Sequence, residues 1–303
     1  MPATRRRAPL ALAAALLLAG PAAAQQQDTT PLRVVRVAEG VHLLMGRGGN
    51  IGVSSGEDGV FLVDDQYAPM TEQVRRAVAS VTPRAIRFVL NTHWHGDHTG
   101  GNEALGRTGV LIVAHDNVRV RMSTEQFIEL LGARVPASAR EALPVVTFAD
   151  AVTFHLNGDE IHAFHVPPAH TDGDAIVHWR RANVVHMGDV YFNGSYPFVD
   201  HSSGGSVDGI IGAADRVLAM SNDSTRIIPG HGPLATRADL QAYRDMVATA
   251  RDRVRAAVAA GRTLEQAKAA DLLADLNARW GGGFIRPDVF VQILYQDLSR
   301  TGR

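Results

Sequence analysis

Asn91-Thr92-His93-Trp94-His95-Gly96-Asp97-His98-Thr99-Gly100-Gly101 follows the apolar run Ile86 to Leu90 and places three imidazoles and a carboxylate within six residues. Imidazole nitrogen and carboxylate oxygen are the donors that a borderline cation such as Zn²⁺ accepts, and a catalytic site leaves one position open for water. His93 and His95, two residues apart, reach one metal together. Asp97 and His98 are adjacent, point differently, and serve a second metal nearby. A buried strand that ends in such a loop is where layered α/β folds carry their sites, because the strand end is rigid and the loop is free to vary.

This segment resembles the signature of the metallo-β-lactamase fold superfamily, and the resemblance extends over most of the chain. It implies an α/β protein, a four-layer αβ/βα sandwich of two mixed sheets flanked by helices, with a two-metal site at one edge. Ligands of that site come from five loops, and four can be matched here in order. After the first motif come Pro168-Ala169-His170-Thr171-Asp172, then Met187-Gly188-Asp189, and finally Pro229-Gly230-His231-Gly232. By resemblance, His93, His95 and His170 bind the first metal, Asp97, His98 and His231 bind the second, and Asp189 bridges them. The implied cofactors are two Zn²⁺ ions per chain, although iron or manganese would suit the same donors. Asp64 falls behind the ligand loops, where a carboxylate holds a ligand in place from outside.

The N-terminus reads differently from the rest. Arg5-Arg6-Arg7, the apolar run Leu10 to Ala19 and Ala22-Ala23-Ala24 form a basic head, a short apolar body and a small-residue cleavage site, the layout of a secretory signal peptide. The run is short for a permanent span. We therefore expect a signal peptide over 1–24, a single domain over 25–303 and a periplasmic or secreted protein, the route being Sec or twin-arginine. Cleavage takes the formal charge from −1 to −4, since the leader holds three arginines and no acid. No basic stripe remains to follow a phosphate backbone, which argues against nucleic acid as a partner. The chain has no cysteine, hence no disulfides. Its single lysine, Lys268, leaves arginine, backbone N–H groups and the metals to meet any substrate carboxylate.

Period-two apolar patterns predict strands at Leu32 to Val37, Val41 to Met45, Ile51 to Ser54, Val60 to Val63, Ile86 to Leu90 and Val110 to Ala114. Further strands fall at Val145 to Phe148, Val152 to Leu156, Ile161 to Val166, Ala175 to Trp179, Asn183 to Met187 and Arg226 to Ile228. Gly46 to Asn50 reads equally as a flap over a pocket or a tight hairpin. Helical spacing covers Pro69 to Ser80, His115 to Leu131, Ser206 to Met220, Arg237 to Ala260, Leu264 to Ala278 and Pro287 to Leu298. The helices from about Arg237 have apolar faces that would cover a sheet. His155, His162, His165, His178 and His186 read as core or surface imidazoles. The aromatic loop after Asp189 offers Tyr191, Phe192 and Phe198 as walls of a substrate pocket, and His201 near its end has the position for a gate.

These readings imply an exported di-zinc metallo-hydrolase, β-lactamase-like, in which a metal-bridging hydroxide oriented by Asp97 cleaves a cyclic amide, lactone or related acyl bond of a small molecule. Two departures from the Cys-ligand β-lactamases stand out: Asp189 occupies the thiolate position, and Phe192 the position of a substrate-binding lysine. The alternatives are a glyoxalase-II-like thioester hydrolase, whose usual H-T-P-G is here H-T-D-G, and an iron-dependent persulfide dioxygenase of the same fold. Oligomeric state is left open. If the leader is a cleaved signal, the exported protein begins at or near Gln25. N-terminal sequencing of the periplasmic form checks this, and an intact Met1 on a membrane-bound protein would refute it.

Overall fold

The structure, a computed structural model, describes residues 31–301; the leader expected over 1–24 lies outside these residues. Side-chain alternation along the strands sorts the apolar residues into separate cores. In strand Val41–Met45, Val41 and Leu43 face a second sheet while Leu44 faces a helix. In strand Gly59–Val63, Phe61 and Val63 turn inward while Val60 and Leu62 turn outward. A sheet buried on both faces in this way becomes an inner layer of a sandwich.

The first sheet has seven strands in the order Arg33–Ala38, Val41–Met45, Ile51–Gly56, Gly59–Val63, Ile86–Leu90, Leu111–His115 and Val146–Phe148. Its first four strands pair antiparallel and the remainder parallel. The second has six strands in the order Ala151–Leu156, Asp159–His165, Ala175–Trp179, Val184–His186, Arg226–Ile228 and Ala235–Thr236, with one parallel pair between Val184–His186 and Arg226–Ile228. Between the sheets lie Leu43, Phe61, Leu90, Ile161, Val177 and Trp179. Helix Thr71–Val81 covers the outer face of the first sheet through Val74 and Val78. Helices Val207–Met220, Arg237–Ala259 and Pro287–Thr301 cover the second through residues such as Ile210, Tyr243 and Phe290. The α/β sandwich expected from the sequence is thus present, and the helices after Arg237 belong to its outer layer.

Two helices differ from expectation. The predicted helix over His115 to Leu131 is helical only at Asp116–Met122, because the Ser123 hydroxyl donates to the Arg119 carbonyl and the chain then turns into a ribbon of Gln126–Ile128 and Ala133–Val135. Gly132 makes the ribbon's turn at φ 59°, and Phe127 and Leu131 are exposed. The segment Leu264 to Ala278 is two helices, Leu264–Ala269 and Ala274–Trp280, interrupted where Asp271 takes φ 44°. Among the described residues no helix is long and apolar enough to cross a membrane.

Phe61 is fully buried between the sheets, its ring 4.8 Å from Phe154 and 6.0 Å from Phe88. Phe61→Ala removes one ring of this mutually packed trio and leaves a cavity, for which we expect a loss of about 3–5 kcal/mol of stability. Urea denaturation with a lowered midpoint and an unchanged slope is the expected result.

Candidate metal centre

Strand pairing brings the ligand loops to one edge. Ile86–Leu90 ends at Asn91, and the loop after it runs into the short helix Gly96–Thr99, whose N-cap is His95. The Thr99 hydroxyl donates to the carbonyl of His95, 3.1 Å away, closing this turn. Parallel strands Val184–His186 and Arg226–Ile228 end side by side, so Asp189 and His231 emerge together. Phe192 and His231 then form a parallel bridge. Gly230 sits against Asp189, where a Cβ would come within 2.1 Å of the carboxylate, so this approach requires glycine.

Three groups of donor atoms converge, each within 4.8 Å: His93, His95 and His170; His93, His98 and Asp189; Asp97, His98 and His231. Donors around one tetrahedral zinc stand about 3.4 Å apart, as bond lengths near 2.1 Å require. Asp189 lies at the junction. Its Oδ1 is 3.0 Å from His98 Nε2, and its Oδ2 is 3.4 Å from His231 Nε2, 3.6 Å from His170 Nε2 and 3.9 Å from His93 Nε2. Asp97 Oδ2 is 3.2 Å from His231 Nε2 and 3.5 Å from His98 Nε2.

The outer nitrogens of four imidazoles fix what the inner ones present. His170 Nδ1 donates to the Phe198 carbonyl (2.8 Å), His95 Nε2 to Asp200 (3.1 Å) and His98 Nδ1 to Asp64 (2.7 Å). His93 Nδ1 donates to the Thr92 hydroxyl (3.1 Å), which itself donates to Asp64. Each ring therefore turns a lone pair inward, and His170 Nε2 and His95 Nδ1 face each other at 2.9 Å as two acceptors. His93 Nε2, His98 Nε2 and Asp189 Oδ1 are buried without a hydrogen-bond partner, the 3.0 Å approach of the last two being out of line for one. Orphaned acceptors in a buried site cost stability unless something electropositive sits among them. The donor set fits divalent metal ions.

Charge divides the site in two. Burial, reinforced by neighbouring imidazoles, drives His93 well below its ordinary pKa and takes His170 down to about 4, so both are neutral ligands. At the other end burial opposes protonation of His98 and His231. The Asp189 and Asp97 carboxylates outweigh it, holding His98 well above the usual value and His231 at about 9. Burial likewise opposes ionisation of Asp97 and Asp189, yet the facing imidazoles hold both carboxyls well below the usual range. Both carboxylates thus favour positive charge beside them.

The surrounding backbone is strained to serve the ligands. Asp64 and Gln66 are fully buried at φ 65° and 68°, a region costly for residues other than glycine. That conformation lets Asp64 accept from His98, Thr92 N–H (2.7 Å) and the Thr92 hydroxyl (2.8 Å). Gln66 accepts from Gly48 N–H at 2.8 Å and donates to the Gly49 carbonyl. The glycine segment is consequently fastened down rather than a flap. Gly49 N–H donates to the Asp97 carbonyl, Asn50 N–H to that of Gly230, and the Asn50 amide to those of Pro229 and Gly232. A Cβ on Gly49 would fall 2.1 Å from the His98 ring. Asp172, the departure from H-T-P-G, forms a bidentate pair with Arg121 (2.7 Å each), which ties the His170 loop to helix Asp116–Met122.

All seven residues expected as ligands stand in this cluster, and Asp64 stands behind it. Phe198 stacks on His95 (5.7 Å, 14°) and Phe192 on His231 (5.1 Å, 17°). Tyr191 is corrected: it is fully buried in the outer core against Tyr243 (4.8 Å), because the helical turn Gly188–Val190 ends there in extended backbone that points Tyr191 away from Phe192 and the site. His201 is no gate, since its ring lies against Asp297 of the last helix. His186 supports the Asn50 carbonyl and Gly188 N–H, and His165 stacks on His115 at 3.8 Å. Asp200, Asn50 and Gln66 were missed, for each acts on a segment far away in the chain.

A family model described as the metallo-beta-lactamase superfamily matches residues 44–242. The chain belongs to this superfamily. Hydroxyacylglutathione hydrolase of Polaromonas sp. is 27% identical over 164 residues, covering 54% of this chain and 55% of that protein. Metallo-beta-lactamase type 2 of Bacteroides fragilis is 24% identical over 153 residues, covering 50% of this chain and 55% of that protein. The chain thus spans about half the length of the curated relatives it matches. Among solved structures, a metallo-beta-lactamase from Pontibacter korlensis has a TM-score of 0.59 at 19% identity over 72% of this chain and 99% of that one. A sec-alkylsulfatase from Pseudomonas sp. reaches 0.64 at 17% identity over 88% and 50%. These structural likenesses show the metallo-β-lactamase fold.

His170→Ala removes one imidazole of the His93, His95 and His170 group while leaving the Asp97, His98 and His231 group intact. We expect wild-type protein grown with Zn²⁺ to hold two metals and the variant to hold about one. Elemental analysis showing equal metal content in both would refute the assignment.

Proposed function

We propose that this protein is an exported di-zinc hydrolase, β-lactamase-like, that opens a cyclic amide, lactone or related acyl bond. The observation that carries this reading is the inward set of lone pairs, fixed from outside by Phe198, Asp200, Asp64 and Thr92 and joined by two carboxylates. Two divalent cations bound there would supply a water of lowered pKa and polarise the scissile carbonyl. His93, His95 and His170 would hold one, Asp97, His98 and His231 the other, and Asp189 both.

The chain's own residues then determine approach and orientation. Side-chain exposure is 0–1% at His93, His98 and His170 but 18% at Asp97 and 29% at His231, so substrate meets the site from the Asp97 and His231 side. Asp97 is placed to accept a hydrogen bond from the attacking water and hold it in line. The Phe192 ring covers His231 and gives an apolar wall where the Cys-ligand branch has a lysine. Across Gly48 from Asp97, the 40%-exposed Tyr67 borders a cavity of about 180 Å³ together with Arg47, Pro69 and Met70. A wall without that lysine favours a neutral acyl substrate over an anionic β-lactam. A thioester hydrolase is the second reading, supported by the carboxylate at Asp189 and the hydroxyacylglutathione hydrolase relatives.

A panel of lactone, β-lactam and thioester substrates on zinc-loaded protein separates the two, with the lactone or lactam turned over fastest on the first reading and the thioester on the second. Asp97→Asn keeps the side chain's shape and removes its charge. With excess Zn²⁺ to compensate for weaker binding, turnover should fall by roughly 10²-fold or more, on the order of an orienting general base. A variant holding two metals at near wild-type rate would leave Asp97 without mechanistic weight.

A further inference from the structure

The segment from Phe198 to Ser203 separates the metal centre from the C-terminal helix Pro287–Thr301, and its two faces do different things. On the metal side the Phe198 carbonyl accepts from His170, Asp200 Oδ2 receives His95 Nε2 at 3.1 Å, and Asp200 N–H donates to the His170 carbonyl at 2.9 Å. Two of the three imidazoles in the His93, His95 and His170 group are thus held by this one segment. Asp200 is itself saturated by its own turn, accepting from the backbone and hydroxyl groups of Ser202 and Ser203.

On the far side the His201 ring, its side chain 7% exposed, places Nε2 3.2 Å from Oδ1 of the nearly buried Asp297, an ion-pair distance without the alignment of a hydrogen bond. The other oxygen of Asp297 accepts from Val207 N–H, 3.2 Å away, at the start of helix Val207–Met220. Arg300 also donates to the His201 carbonyl at 3.4 Å. Ser202 and Ser203 are also held, by Glu129 N–H (3.2 Å), Trp94 Nε1 (3.1 Å) and Asp172 N–H (2.9 Å), which leaves His201 as the residue of the turn that faces open space. His201 lines two clefts, of about 190 and 420 Å³, between the segment and the last helix. A loop bordered by empty space has room to shift unless it is clasped.

We propose that Asp297 is a positioning residue for the metal centre: through His201 it clasps the Phe198 to Ser203 segment, and thereby sets the aim of His95 and His170. The proposal rests on the reading of His93, His95 and His170 as a metal site given above, and is independent of which bond is hydrolysed.

The test uses the full chain and reads metal binding alone. Stepwise Zn²⁺ affinity is measured by chelator competition, and the Co²⁺ form by its visible absorption, for wild type, Asp297→Asn and Asp297→Glu. Removing an outer partner of a metal ligand costs 10–100-fold in affinity, and Asp297 acts one step further out, through the segment that carries Asp200, so Asp297→Asn should weaken one of the two Zn²⁺ steps on the order of 10-fold and alter the Co²⁺ spectrum. Asp297→Glu should restore most of both. His201→Phe fills the ring's space without its nitrogens and should repeat the Asp297→Asn result if that variant fails to fold. Wild-type Zn²⁺ affinity and Co²⁺ spectrum in Asp297→Asn or His201→Phe, with only the melting temperature lowered, would overturn the proposal. A protein that hydrolyses no acyl substrate yet shows the affinity loss would refute the proposed function and leave this inference standing.

Discussion

A cluster of lone pairs and two carboxylates, enclosed by protein and short of positive charge, is the constraint around which this molecule is arranged. Each of four imidazoles is pinned by a hydrogen bond on its outer nitrogen, so none can rotate its inner nitrogen away to find a partner. Such an arrangement is unfavourable on its own and becomes favourable when cations enter. The same enclosure is why the Asp97 and Asp189 carboxylates raise the pKa of the His98 and His231 imidazoles beside them.

The sandwich follows from the need to present this cluster at an edge. Parallel pairing places Leu90 of the first sheet beside Val63 and Val113, and Ile228 of the second beside His186, so loops from both sheets end on the same side. Left-handed backbone at Asp64 and Gln66 shows where the fold tolerates strain to keep the cluster aimed. The interior, from Phe61 to Trp179, is ordinary alternation and supplies the stability against which that strain is held.

Much of this was legible in the sequence, for local reasons. The His93 to His98 motif is contiguous, and strands such as Ile86–Leu90, Ala175–Trp179 and Arg226–Ile228 stand where their alternation predicts them. His170, Asp189 and His231 could be placed through the resemblance, because each sits in a short recognisable loop. Asp200 had no such mark, since it reaches His95 across the fold from an aromatic loop and nothing in its neighbours encodes that contact. Tyr191 and Phe192 were indistinguishable by type; the backbone turn at Met187 to Tyr191 alone decides that one faces the core and the other the site. The over-long helix from His115 failed for a similar reason, as apolar residues of the ribbon mimic a helical face.

The glycine segment carries a consequence for how the two sheets are joined. Gly49 is bonded to the first ligand loop and Asn50 to the last, so a hairpin of the first sheet spans the seam between the halves. Metal ions among His93, Asp189 and His231 would bridge that same seam from the other side. In a chain without disulfides, ion and hairpin act as parallel rivets across one joint. Opening the joint would require both to give way, which couples retention of the ions to the cooperativity of unfolding and makes resistance to heat rise with metal concentration.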